Sequence, residues 1–378
     1  GHLSTNWDTG RFLRNLLRLR QEEVGDPSIA AERIERPIFI TGLPRSGTTF
    51  LHQLLAADDS NFVPRVWQLI HPYPEIGRAS DRDRRQQRVA RQLRMFQMLA
   101  PGLRRMHPIV ADSPQECSEI TAHVFASLRF DTIYSIPGYR EWLDNAGHLD
   151  AYRFHRRFLQ HLQHQSQAGG RWVLKCPDHV FALDAIRAVY PDARIVFVHR
   201  DPLRVVLSVA QLTEILRRPF TRYIDRHSLG RQECERWAFG TELMIRGADQ
   251  EPFAEPIFHL HYRDLVANPL AAVGKLYAHF GLTLSSAAAA RIDRMVETDA
   301  NGSYGVNGYR AEPYQLDANT LRRRFAAYLE RFGVEPEAGY GLPVSTSSLG
   351  DRPSGGARPS AVTQQLAHET GEGLEPAE

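Results

Sequence analysis

Gly42-Leu-Pro-Arg-Ser-Gly47-Thr48-Thr49 keeps the glycine spacing of G-x-x-x-x-G-K-[ST], a loop that wraps phosphates. Two glycines let the backbone turn tightly and let an anion come close. Ser46, Thr48 and Thr49 offer hydroxyl donors, and Arg45 offers a fixed positive charge. A helix starting here adds its free N–H groups and about half a positive charge. Thr48 stands where loops for ATP and GTP carry the lysine that reaches the β- and γ-phosphates. No apolar strand ends in a convincing Mg²⁺-holding carboxylate; the strand at 194–199 ends in His199-Arg200 instead. The loop suits an anion other than a metal-bound triphosphate. A glycine turn that only caps a helix is the plainer alternative, and it leaves Arg45 and the hydroxyls without a task.

A second anion-binding set lies in "IVFVHRDPLRVVLSV", residues 195–209. An apolar strand runs into Arg200, Asp201-Pro202 opens a helix, and Ser208 follows about two turns later. Strand ends of open α/β sheets face the ligand crevice, so Arg200 points there. A guanidinium with a hydroxyl suits a terminal phosphate monoester. Proton transfer needs a base. His179, just past Lys175-Cys176-Pro177 at another strand end, is the first candidate, because an imidazole titrates at about 6.5. Glu116, in "DSPQECSEI", is the second. Lys175 suits charge stabilisation at the reacting oxygens. A structural histidine and a solvent-facing lysine are the alternatives.

These residues need a scaffold. Residues 37–41 read as a buried strand, followed by a helix from about Ser46 to Ala57. A short strand is expected around 61–67, with Pro64 placing it at an edge. "RWVLKCPDHVFALDAI" and "DARIVFVHRDPLRVVLSVAQL" repeat strand-turn-helix, and another strand is expected at 256–261. Helices are expected at 8–24, 269–280, 284–298 and 318–332. The alternation predicts an open, mainly parallel sheet of about five strands with helices on both faces. Residues 1–35 form an N-terminal helical segment and 36–341 the main domain, with a large helical insertion at 78–168. Residues 342–378 are rich in Ser, Gly, Pro and acidic residues and are expected to be disordered.

Composition narrows the partners. The chain has 378 residues, 42% hydrophobic, with a formal net charge of +2, so any anion site is local and a nucleic-acid partner is not indicated. No apolar run approaches the roughly 20 residues that span a bilayer, and the start lacks the apolar region of a signal peptide. Three widely spaced cysteines argue against a disulfide framework or a cysteine zinc site and make a reducing cytoplasm the default. The arginine run at 82–94 reads as a solvated helix face that also suits an anionic acceptor or lipid surface. His259 with His261, and His161 with His164, have ligand-like spacings; strand packing and an exposed helix face explain them without a metal. The aromatic stretch "FASLRFDTIYSIPGYREWL" suits either an apolar acceptor pocket or packing of the insertion.

Together these motifs resemble sulfotransferases that use 3′-phosphoadenosine 5′-phosphosulfate (PAPS). "PRSGTT" is similar to their 5′-phosphosulfate loop, and "VFVHRDPLRVVLSV" to their 3′-phosphate segment. "RWVLKCPDH" resembles a strand-Lys-x-Pro turn of the family, and "FHLHYRDLVANPLAAVGKLYAHFGL" a stretch of its C-terminal half; the resemblance covers about 36–335. It implies a nucleotide-kinase-like α/β fold, no metal, and PAPS as donor with 3′,5′-bisphosphoadenosine (PAP) as product. It implies that Arg45, Ser46, Gly47, Thr48 and Thr49 grip the 5′ end, and Arg200 and Ser208 the 3′-phosphate. Members differ in their base. Some use a His in the turn after the Lys strand, others a Glu after the second strand, where this chain has Gln68, with His71 and Glu75 out of register. The expected activity is sulfuryl transfer to a hydroxyl of a small-molecule, lipid or glycolipid acceptor. A P-loop small-molecule kinase and a non-catalytic nucleotide-binding protein are the rivals. The acceptor, the pathway and the oligomeric state, a homodimer included, stay open.

Overall fold

Strands form where apolar runs can be buried on both faces. β1 (Ile38–Gly42) and β4 (Arg194–His199) are buried along their whole length, and β3 (Arg171–Lys175) nearly so. The computed structural model describes residues 2–74, 82–99, 109–166, 169–250, 253–299 and 312–337. Among them, five strands make one sheet in the order β2-β3-β1-β4-β5, with β2 Asn61–Phe62 and β5 Phe258–His261. Every pairing is parallel. The open, helix-flanked parallel sheet is the one the strand-helix alternation predicts. The segment 342–378 lies outside the described residues.

Alternation along the strands divides the interior in two. Phe39, Leu174, Ile195 and Phe197 face one apolar cluster. Ile38, Ile40, Val173, Val196 and Val198 face the other, which contains Leu51, Leu54 and Leu55. These three leucines belong to α2, which follows β1. The helices are α1 (His2–Gly25), α2 (Thr48–Ala56), α3 (Val66–Ile70), α4 (Arg82–Leu99), α5 (Ser118–Ala122), α6 (Arg129–Tyr134), α7 (Pro137–Ala146), α8 (Leu149–Ser166), α9 (Leu183–Val189), α10 (Pro202–Arg217), α11 (Arg226–Asp249), α12 (Tyr262–Ala267), α13 (Pro269–His279), α14 (Ser286–Asp299), α15 (Ala318–Arg324) and α16 (Ala326–Phe332). Helices α3 to α8 all fall between the edge strand β2 and its neighbour β3.

Three local expectations differ from the structure. The strand expected at 61–67 stops at Phe62, because Pro64 lacks an N–H and α3 begins at Val66. Gln68 caps that helix: its side-chain oxygen accepts from the Arg65 N–H at 2.9 Å. The helix expected at 318–332 breaks at the buried Phe325 into α15 and α16. His161 is buried rather than exposed, between the Tyr73 hydroxyl at 2.6 Å and Glu23 at 3.1 Å.

The aromatic stretch packs the insertion against α1. Phe12 is fully buried, with ring centroids 5.9 Å from Phe125 and 6.1 Å from Phe130. A buried ion network reinforces this contact: Arg11 meets Glu119 at 2.6 Å, and Arg129 meets Asp8 at 3.1 Å and Glu119 at 3.3 Å. In α4, Arg85 reaches the Pro72 carbonyl at 2.7 Å and stacks on Trp67, while Arg84, Arg91 and Arg94 are exposed.

Candidate active site

Gly42 ends β1 with a φ of 138°, and a Cβ there would lie 2.3 Å from the Val198 carbonyl oxygen. Only glycine allows β1 and β4 to approach so closely while the chain turns. Arg45 sits in the left-handed region at φ 62°, a conformation held against its own preference. Gly47 follows at φ 90°, and a Cβ on it would meet the Tyr262 ring at 2.8 Å. Ser46 is fully buried and donates its hydroxyl to the Leu43 carbonyl at 2.6 Å, so it holds the loop's shape. Thr48 and Thr49 open α2, whose first N–H groups have no partner within the helix. The result is a rigid turn of backbone donors, the form of an anion nest.

Parallel register carries the second motif to this loop. Val198 pairs with Gly42, so Arg200 emerges beside it. Arg200 Nη1 donates to the Arg45 carbonyl at 2.7 Å, and Arg45 Nε donates to Ser208 Oγ at 3.0 Å. Asp201 caps α10 by accepting from the Leu203 N–H at 3.0 Å, which fixes where Ser208 falls. The guanidinium of Arg200 lies 3.9 Å from the centre of the Tyr262 ring. One tyrosine therefore backs both Gly47 and Arg200. The two motifs form one connected cluster at the C-terminal edge of the sheet.

Lys175 ends β3 beside Ile40 of β1, which aims it at the start of α2. Its Nζ donates to Thr49 Oγ1 at 3.0 Å and to Glu116 Oε1 at 2.5 Å. The Cys117 N–H donates to the Lys175 carbonyl at 3.1 Å, which docks the insertion on the strand end and delivers Glu116. The Lys175 side chain is 2% exposed and that of Glu116 27%, so the carboxylate is the member open to an incoming molecule.

His179 makes none of these contacts. It is fully buried, its Nδ1 is hydrogen-bonded with the Tyr152 hydroxyl, and its ring packs edge-on against Phe39 at 5.0 Å. Burial holds it neutral, well below the usual imidazole range. A cavity beside Glu116 is lined by Cys117, Ser118, His148, Tyr152, Asp178 and His179, among others. Burial and the Glu116 charge push the Asp178 carboxyl up to about 7. Arg45, Ser46, Gly47, Thr48, Thr49, Lys175, Glu116, Arg200 and Ser208 thus lie along one edge of the sheet, joined by the contacts above, while His179 is buried and lines the neighbouring cavity.

Two residues of the cluster were not among the expected site residues. Tyr262 follows the end of β5, the kind of position where crevice residues sit, and it lies in the stretch "FHLHYRDLVANPLAAVGKLYAHFGL" noted above. Glu337, whose carboxylate pairs with Arg200, gives no local signal at all. His259 packs in β5 with its Nδ1 2.9 Å from His199 Nε2. Among the described residues no group of three or more His, Cys, Asp and Glu side chains is placed to hold a metal ion.

A central parallel strand running through a glycine nest into a helix, with arginine and hydroxyl groups along the same sheet edge, is the architecture of phosphate-loop α/β proteins. Within that class the chain belongs to the sulfotransferase family, which it matches over residues 37–286. It is 23% identical over 309 residues to the omega-hydroxy-beta-dihydromenaquinone-9 sulfotransferase Stf3 of Mycobacterium tuberculosis, covering 79% of this chain and 75% of that protein. Among solved structures it is similar to sulfotransferase STF9 of Mycobacterium avium, with a TM-score of 0.77, 27% identity and coverage of 87% and 84% of the two chains. Sulfotransferase STF1 of Mycobacterium tuberculosis follows with a TM-score of 0.70, 28% identity and coverage of 82% and 81%.

Proposed function

We propose that this chain moves a sulfuryl group from PAPS to a hydroxyl of an apolar, lipid-like acceptor, with Glu116 as the general base. The carrying observation is the junction at Lys175, which touches both the end of the anion loop at Thr49, where α2 begins, and the carboxylate of Glu116. That junction joins a donor site to a proton acceptor within one side chain's reach.

The residues fit a doubly charged adenine nucleotide. The positive-φ turn at Arg45 and Gly47 packs against Tyr262, where a Cβ on Gly47 would intrude, and this fixes the direction of the loop's N–H groups. Arg45, Ser46, Gly47, Thr48 and Thr49 would hold the 5′-phosphosulfate, and Arg200 and Ser208 the 3′-phosphate. PAPS, when bound, supplies the sulfuryl group; sulfur passes to the acceptor oxygen as its bond to the 5′-phosphate oxygen breaks. Loop N–H groups and Arg45 stabilise the charge that collects on the leaving phosphate. Glu116 takes the acceptor's proton, and Lys175 offsets charge at the bridging oxygen. Burial and engagement with Tyr152 leave His179 a structural role.

One observation supports a lipid-like acceptor. The relative named above acts, by its name, on an omega-hydroxy-beta-dihydromenaquinone. The three cysteines are buried free thiols, which fits a cytoplasmic reaction. The test is transfer of labelled sulfate from PAPS to alkyl and isoprenoid primary alcohols. Transfer that is lost in Glu116→Gln supports the assignment; phosphoryl transfer from ATP-Mg²⁺ would establish the kinase reading instead.

A further inference from the structure

Glu337 comes after the last described helix, α16, yet its carboxylate lies on Arg200. Oε1 accepts from Arg200 Nε at 2.7 Å and Oε2 from Nη2 at 2.9 Å, a two-pronged pair. Arg204 approaches the same carboxylate at 3.8 Å. The Glu337 N–H donates to Asp201 Oδ2 at 2.7 Å, so the carboxylate that starts α10 also holds the segment in place. The chain reaches this point through Gly333, which ends α16 in the left-handed region at φ 59°, and through the buried Val334. Beyond Val334 the neighbouring anchor is a surface pair between Glu335 and Arg263.

A carboxylate gripping a guanidinium with two oxygens presents the same pattern as two oxygens of a phosphate. The anion on Arg200 in this structure is therefore the protein's own. We propose that Glu337 is a built-in competitor for the nucleotide's 3′-phosphate. This rests on the reading of Arg200 as the 3′-phosphate ligand. While Glu337 holds Arg200, the 3′ end of the nucleotide is excluded. Entry requires the carboxylate to swing off and the Glu337–Asp201 bond to open. Among the described residues, those after Val334 are the ones that move, since α16 stays anchored by the buried Tyr328. A phosphate monoester carries more negative charge than a carboxylate and displaces it. After transfer, the returning carboxylate competes with bound PAP and helps it leave, so the latch limits product inhibition.

The test is calorimetric titration of the full chain with PAP and with 5′-AMP, which lacks the 3′-phosphate. Wild type, Glu337→Gln and Arg200→Ala are compared at one salt concentration. The expected result is about tenfold tighter PAP binding in Glu337→Gln, with 5′-AMP affinity unchanged, and PAP binding at least tenfold weaker in Arg200→Ala. Hydrogen exchange on the wild type is the second measurement: PAP should speed exchange of the Glu337 amide, and 5′-AMP should not. Unchanged or weaker PAP binding in Glu337→Gln, with Arg200→Ala still impaired, means that Glu337 positions Arg200 and does not compete; the latch falls and the nucleotide assignment stands. Unaltered PAP binding in Arg200→Ala removes the assignment and the latch together. If Glu337→Gln does not fold, the absence of accelerated exchange in the wild type overturns the latch alone.

Discussion

At the end of β1 the anion loop is held by backbone conformation. Arg45 and Gly47 have left-handed φ, Gly42 meets the Val198 carbonyl, and Ser46 bonds three residues back to Leu43. At the end of β3 the proposed reacting groups are held by a side-chain pair, Lys175 with Glu116, between residues 59 apart in the chain. The contrast follows from what each side must do. A donor anion common to a whole family can be met by main-chain N–H groups, which do not change with sequence. An acceptor differs from enzyme to enzyme, and a helical insertion that delivers one carboxylate can vary its walls around that carboxylate. The first side is rigid by local geometry, the second by docking.

Substitutions can break this contrast in order of expected effect. Glu116→Gln removes the proposed base and should lower kcat by about 10²–10⁴-fold with PAP affinity nearly intact, read by steady-state kinetics and calorimetry. A matching loss of PAP affinity would place Glu116 on the donor side instead. Arg200→Ala should weaken PAP by about 1.5–3 kcal/mol, because it removes a charged, two-pronged contact.

A pH series reaches the core beneath both sides. Burial holds His52 and His155 down at about 3, against an ordinary value of 6.5. Their folded forms stay neutral while the unfolded chain takes up protons as pH falls below about 6.5. Stability is therefore full above that pH and declines toward pH 3, by on the order of 2 kcal/mol per histidine at pH 5. Urea midpoints at pH 7.5 and 5.0 should show the drop; equal midpoints would contradict the burial.

Gly47→Ala sharpens the donor side. Strain at positive φ and the clash with Tyr262 should cost about 1–2 kcal/mol of stability in thermal unfolding and loosen nucleotide binding as well. A variant as stable as the parent would show that the loop tolerates other shapes. The smallest effect is expected at His179: in the folded fraction, His179→Gln should change the barrier by less than about 1 kcal/mol, since the ring lies in the packed interior. A kcat loss as large as that of Glu116→Gln would return the base to His179.

Much of this was legible in the residues. The glycine spacing, the hydroxyls and Arg45 announce a nest because backbone turns have fixed residue requirements. Apolar runs ending at Lys175 and Arg200 announce parallel strands because both faces of such strands are buried. The residues rank His179 first, because it stands just past a strand end, and Glu116 second, on the helical insertion; spacing does not show what either one packs against. A histidine four residues past Lys175 enters a tight helical turn, and that turn rolls it under the sheet against Phe39 and Tyr152.

The amino-acid order by itself determined the strands, the loop and the identity of the charged groups, because these depend on local conformational preference and on period. Tertiary structure alone decided that Glu116 meets Lys175, that Tyr262 backs both Gly47 and Arg200, and that Glu337 sits on the guanidinium. Those contacts join residues tens to more than a hundred positions apart. Their partners are selected by strand register and helix docking, which no short window of sequence contains.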